Sequence, residues 1–201
     1  MLVKGIKSRP VYTGLSIDPN AQRHIFALEG EGANALTDQA AAGGKTFLPN
    51  ADVLFVVDST NDAAHHAKLE QLAPDVLWSA PTIPILLNRL RVNLINAHMG
   101  MRLYIAGTEG FIGQCMKVAL DQGVDFNSIM TEHRGSEARR VQCVHCKGIT
   151  ENVTTQPFAC SHCGLELLVR DHYSRRLAAF QGVCIDAEEP GTAPPREVIF
   201  P

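Results

Sequence analysis

VLFVVDSTNDAAHHAKLEQL, Val53 to Leu72, is the stretch on which the fold turns. It opens with a continuous β-branched and aromatic run, Val53 to Ser59, the pattern of a strand buried on both faces. Asp58, Ser59, Thr60, Asn61 and Asp62 follow as turn and helix-capping residues. AAHHAKLEQLA then reads as a helix. Downstream the alternation repeats. DVLWSA (75–80) is a short strand and TIPILLNRLRVNLINAH (82–98) a helix that tolerates Pro84 in its first turn. Leu103 to Ala106 is a strand ending at Gly107, GFIGQCMKVALDQG a helix stopped at Gly123, and NSIMTEH a closing strand. Upstream, VYTGLS and HIFALEG read as short strands, and ANALTDQAAAGGKTFLPN as helix or loop. Strands alternating with helices predict a parallel α/β sheet with right-handed crossovers.

Composition narrows the function. The chain has 201 residues, 45% hydrophobic and 19% charged, which suits a packed core with room for a small appendage. Its 18 basic residues are outnumbered by 21 acidic ones. An electrostatic nucleic-acid binder is usually basic, and aromatics at 6% are too sparse for a base-stacking surface. MLVKGIKSRPVYTG holds no apolar run of signal-peptide length, and no segment approaches the roughly 18 apolar residues of a membrane span. The expected setting is cytoplasmic, where paired cysteines mean metal or redox chemistry more often than disulfides.

Four of the six cysteines lie in CVHCKGITENVTTQPFACSHCG, Cys143 to Gly164. The spacing is C-x2-C, thirteen residues, C-x2-C. Each short pair wraps a tight turn that aims both sulfurs at one ion, and two pairs close a tetrahedron. Cys143, Cys146, Cys160 and Cys163 are therefore the expected metal ligands. Glycine follows each pair, as Lys147-Gly148 and as Gly164, and lets the backbone point N–H groups at sulfur. Zinc is favoured over a single iron, which would use similar spacing and carry electrons. So short a ribbon buries little apolar surface, so the plainer role of the metal is to staple it. His145 and His162 are spare imidazoles beside four thiolates that already fill the ion's coordination.

These readings divide the chain four ways: N-terminal strands and loop packing on the α/β domain (1–50), the α/β domain (51–138), the four-cysteine ribbon (139–170), and a docking segment with an extended tail (171–201). The charged, glycine-containing EHRGSEARR marks the main joint.

LYIAGTEGFIGQCMKVALDQGV is similar to the last strand–turn–helix of the nucleotide domain in the ferredoxin–NADP reductase superfamily. Ala106, Gly107 and Thr108 stand where that family reads Cys-Gly-Pro, and Glu109, Gly110 and Phe111 continue the match. VLFVVDSTNDAAHHAKLEQL resembles an inner strand and helix of that fold, and IMTEHRG its closing strand. The family's phosphate loop has no clear counterpart. Gly43-Gly44-Lys45 is the nearest, and no strand feeds it. Fifty upstream residues are also too few for a flavin-binding barrel. The resemblance therefore implies a degenerate reductase-type domain without nucleotide apparatus. On its own residues, AGTEGF is a plain strand–helix turn before it is an anion site.

The combination is more specific. LYIAGTEGF, CVHC, CSHCG and RDHYSRR (170–176) together resemble the small DmmA-type subunit of bacterial haem-dependent dimethylamine monooxygenase, over residues 50–185. That resemblance implies a subunit of an NAD(P)H-dependent complex that demethylates dimethylamine to methylamine and formaldehyde, acting in assembly or electron transfer. Haem would sit in an oxygenase subunit, FMN and an iron–sulfur centre in a reductase subunit, with no membrane or nucleic acid as partner. No catalytic residue is assigned to this chain. His24, His65, His66, His98, His133, His172, Cys115 and Cys184 could each ligate haem by type, yet none sits in a diagnostic motif. Arg170, Arg175 and Arg176 read first as a solvated basic face. The alternative function is a zinc-ribbon nucleic-acid-binding protein. A stand-alone nicotinamide oxidoreductase is disfavoured by the missing loop, and no Gly-x-Ser-x-Gly supports a hydrolase.

Overall fold

In the computed structural model, which describes residues 8–57 and 62–201, the chain forms two compact units. Residues 12–135 make one; residues 8–11 and 136–201 make the other.

The first unit runs β1 (Arg23–Glu29), α1 (Gly32–Gly43), β2 (Ala51–Val56), α2 (Asp62–Leu72), β3 (Val76–Ala80), α3 (Ile83–Ile95), β4 (Met101–Gly107), α4 (Glu109–Asp121) and β5 (Ile129–His133). All five strands are parallel, in the order β3-β2-β1-β4-β5. Successive side chains of a strand point to opposite faces, so a sheet covered on both sides needs apolar residues at every inner position. β1 meets this demand. Ile25 and Ala27 join Leu86, Leu90, Leu103, Phe111 and Cys115 in one layer. Phe26 and Leu28 join Leu36, Phe55, Leu69 and Tyr104 in the other. In α3 the buried residues Leu86, Leu90 and Leu94 recur every fourth position, one stripe of a helix. α4 is capped by Thr108, whose hydroxyl accepts the Phe111 N–H at 3.4 Å.

Two expectations need correction here. The divide at residue 50 falls inside the sheet: β1 is its central strand, not an element packed against it. VYTGLS (11–16) forms no strand, and the Leu15 N–H goes instead to the Glu132 carboxylate at 2.8 Å. As expected, no strand feeds Gly43-Gly44-Lys45: Gly43 is the last residue of α1. A Gly-x-Gly stretch that does leave a strand and open a helix is Gly30-Glu31-Gly32, between β1 and α1. Of the expected capping run, Asp62 begins α2, and 58–61 lie outside the described residues.

The second unit holds β6 (Arg139–Cys143), β7 (Ile149–Val153), β8 (Thr155–Gln156), β9 (Phe158–Ala159), β10 (Glu166–Ser174), β11 (Ala179–Cys184) and β12 (Glu197–Val198). Its main sheet is ordered β7-β6-β11-β10-β9, with β11 parallel to β6 and the other pairs antiparallel. The expected divide at residue 171 is overturned in turn. β10 runs through it, and β11 pairs with β6, so residues 171–184 belong to the ribbon's own sheet. The tail is anchored at its end, where β12 pairs with β8.

Arg139 shows how this small unit fills its core. It is 5% exposed, its guanidinium lies 4.2 Å from the centre of the Phe180 ring and 4.1 Å from that of Phe200, and it pairs with Asp171 at 2.9 Å. A cation held between two aromatic faces, away from water, is worth more than an exposed one. Arg139→Ala removes both ring contacts and leaves Asp171 unpaired. It is expected to destabilise the second unit by about 2–3 kcal/mol. Chemical denaturation followed at the ribbon, with Arg170→Ala as control, measures this.

Candidate metal centre

The two C-x-x-C turns are built alike. In the first, Cys143 N–H donates to the Gly148 carbonyl at 2.9 Å, and Lys147 N–H to the Cys143 carbonyl at 3.0 Å. In the second, Cys160 N–H donates to the Leu165 carbonyl at 2.9 Å, and Gly164 N–H to the Cys160 carbonyl at 3.0 Å. Each turn closes with a residue in the left-handed region: Lys147 at φ 65° and Gly164 at φ 76°. Glycine occupies that position without strain only in the second turn. In the first a lysine carries the conformation, and its ammonium donates to the Val144 carbonyl at 2.6 Å.

Gly148 has a second task besides pointing its N–H at sulfur. A β-carbon there would lie 2.4 Å from Cγ and Cδ2 of His162. The imidazole therefore packs on the Gly148 backbone, and its Nε2–H donates to the Ile149 carbonyl at 2.9 Å. His162 thus braces one turn against the other. Gly148→Ala must push this ring away and is expected to cost about 1–2 kcal/mol. It should also speed metal loss to a chelator, which a colorimetric release assay follows.

The four Sγ atoms of Cys143, Cys146, Cys160 and Cys163 lie within 4.8 Å of one another. Cys143 and Cys163 are 3.9 Å apart, and Cys146 and Cys160 3.7 Å. Metal–thiolate bonds of about 2.3 Å imply a tetrahedral edge of about 3.8 Å, so the donor set fits a thiophilic ion. Backbone N–H groups support the charge. Gly148 N–H reaches Cys146 Sγ at 3.4 Å. Burial opposes ionisation of Cys160, but the N–H groups of Cys163 and His162, together with the neighbouring thiols of Cys163 and Cys146, outweigh it and bring this thiol down to about 6. Cys143 and Cys160 are buried, Cys163 is half-buried and Cys146 is exposed.

No histidine joins this cluster among the described residues. His98, His145, His162 and His172 are exposed, and His65, His66 and His133 half-buried. His24 is 2% exposed on β1, its Nδ1 3.2 Å from the Tyr104 hydroxyl, and burial lowers its pKa despite the nearby Asp18 carboxylate. It is a core residue of the first unit. Cys115 is fully buried in the α4 layer, and Cys184 donates to Asp186 at 3.3 Å. Arg175 and Arg176 are exposed in the turn before β11. Among the described residues, no helix is long and apolar enough to cross a membrane.

The chain thus joins a parallel α/β unit to a four-thiol ribbon. The chain belongs to the dimethylamine monooxygenase subunit DmmA-like family, whose N-terminal domain model matches residues 4–129 and whose C-terminal domain model matches residues 140–183. It is 29% identical over 183 residues to the heme-dependent oxidative N-demethylase delta subunit of Ectopseudomonas mendocina (strain ymp), a match spanning 91% of each chain. Among solved structures, a ferredoxin NADP+ reductase from Neisseria gonorrhoeae aligns over 57% of this chain and 57% of its own, at 15% identity and TM-score 0.44. Full-length CYP116B46 from Tepidiphilus thermophilus aligns over 67% of this chain and 19% of its own, at 18% identity and TM-score 0.45. The chain thus spans less than two thirds of either structure.

Proposed function

We propose that this chain is the small, zinc-bearing subunit of a cytoplasmic haem-dependent monooxygenase that demethylates dimethylamine to methylamine and formaldehyde at the expense of NAD(P)H and dioxygen. The observation that carries the reading is family membership across both units, together with a delta-subunit relative matched over nearly the whole of both chains. Haem then resides in an oxygenase subunit, and FMN and the iron–sulfur centre in a reductase subunit.

The work of this chain is structural. Cys143, Cys146, Cys160 and Cys163 hold zinc as thiolates, and the turn N–H groups offset their charge. Bound zinc supplies a redox-inert cross-link that fixes the two turns to one another. His162 and Gly148 set their spacing, and the ribbon becomes a rigid docking element. An electron-relay role is the second reading, favoured by the exposure of Cys146 at the edge of the cluster, and it requires iron in place of zinc.

Nucleic-acid binding is disfavoured by the net acidic charge and by two of the ribbon's arginines, while Arg175 and Arg176 are exposed. Arg139 is buried between rings, and Arg140 is spent on Glu151 at 2.8 Å and the Leu177 carbonyl at 2.5 Å. Co-expression of the tagged chain with its oxygenase and reductase subunits tests the proposal. Co-purification of haem and flavin, with dimethylamine-dependent NAD(P)H oxidation, is expected. A chain that purifies alone beside an active oxygenase–reductase pair would overturn it.

A further inference from the structure

In an open α/β sheet, ligands gather beyond the carboxyl ends of the strands, where the strand order reverses. Phosphates held there take donors that open a helix. In this chain the reversal falls between β1 and β4. The β4–α4 turn offers two donors at that point, the N–H and the hydroxyl of Thr108. Both go to one oxygen of Glu29, the last residue of β1: Oε2 accepts the N–H at 2.9 Å and the hydroxyl at 2.6 Å. The carboxylate thus sits at the positive end of α4, where an anion is most stable.

The surroundings repel a second anion. Glu109, 4% exposed, opens α4 and accepts the Tyr12 hydroxyl at 3.2 Å. Glu132, at the end of β5, accepts the Leu15 N–H. Arg134 is already held by Glu132 and by Asp38. Space is short as well. A β-carbon on Gly32 would lie 2.1 Å from the Ala106 carbonyl oxygen, and one on Gly107 would lie 2.9 Å from the Glu29 β-carbon. The β1–α1 and β4–α4 turns therefore touch.

We propose that Glu29 is a built-in anion that fills the donor pair of Thr108 and closes the switch point to phosphate-bearing ligands. The chain keeps the sheet of a nucleotide-binding domain and satisfies its helix terminus with its own side chain. This inference concerns residues of the first unit alone and stands apart from the metal assignment.

Two measurements on the full chain test it. Calorimetric titration with NADPH and with inorganic pyrophosphate, at millimolar concentration, is expected to give no saturable heat. Glu29→Ala vacates both Thr108 donors, and its melting temperature is expected to rise with added sulfate by several degrees more than that of the unaltered chain. Saturable NADPH or pyrophosphate binding by the unaltered chain overturns the proposal. So does a folded Glu29→Ala protein whose sulfate response equals that of the unaltered chain. Should Glu29→Ala fail to fold, the titration of the unaltered chain decides alone.

Discussion

Cys143→Ala is expected to abolish stoichiometric metal binding and unfold the second unit, while the first keeps its helical signal. Cys143 is 1% exposed and supplies one of four thiols that all lie within 4.8 Å. Structural zinc in small ribbons contributes apparent free energies of about 10–16 kcal/mol, more than a unit of this size gains from its apolar core. Loss of one ligand leaves three thiols, one from the first turn and two from the second, which do not close the tetrahedron, and the ion is expected to be released. The cross-link between the turns is then lost, and with it the docking of the chain to its partners. Cys184→Ala is the control. Its thiol lies in the same sheet but donates to Asp186, so that variant should keep its metal and its fold. Metal content, circular dichroism and co-purification with the partner subunits measure the three effects. A Cys143→Ala protein that retained its metal and full assembly would refute the four-thiolate assignment.

Gly32→Ala is expected to be the most damaging single methyl group in the first unit. The new β-carbon would meet the Ala106 carbonyl oxygen at 2.1 Å, its carbon at 2.5 Å and the Gly107 nitrogen at 2.9 Å. These are backbone atoms of β4, a strand hydrogen-bonded on both sides, and cannot swing aside as a side chain would. Overpacking usually costs 1–3 kcal/mol; here the cost should reach about 3 kcal/mol or more, roughly 10 °C in melting temperature. Gly43→Ala, at the far end of the same helix, places a β-carbon with nothing within 4 Å. That change should be neutral or stabilising by about 0.5–1 kcal/mol, because alanine loses less entropy than glycine in a helix. Thermal melts of the two variants side by side provide the check, and equal losses would contradict the close approach of the two turns.

Much of this architecture is legible in the residues that make it. Val53–Val56 is apolar at every position because β2 is buried on both faces, and that run alone marks an inner strand. Leu86, Leu90 and Leu94 mark α3 by their spacing, and the two C-x-x-C pairs mark the thiol cluster by theirs. β1 was harder to place. It begins with Arg23 and His24, follows a stretch without strand pairing, and gains its central place only from β2 and β4 on either side. Its outgoing turn, Gly30-Glu31-Gly32, escapes notice as a strand–helix turn because Glu31, with Glu29 just before it, is the opposite of what a phosphate needs. An apolar run followed by Gly-x-Gly and an alanine-rich segment was the available signal. The ribbon's closure was not legible at all. Phe200 reaches Arg139 from far along the chain, and β11 pairs in parallel with β6 across both cysteine turns. Such contacts follow from tertiary packing and leave no local period.

Elemental analysis of the purified chain, with its absorption spectrum, tests the central claim most directly. One zinc per chain and no visible absorption are predicted, which makes Cys143, Cys146, Cys160 and Cys163 a structural clip and leaves oxygen and electron chemistry to the partner subunits. One iron with visible thiolate charge-transfer bands, or no stoichiometric metal, would contradict it.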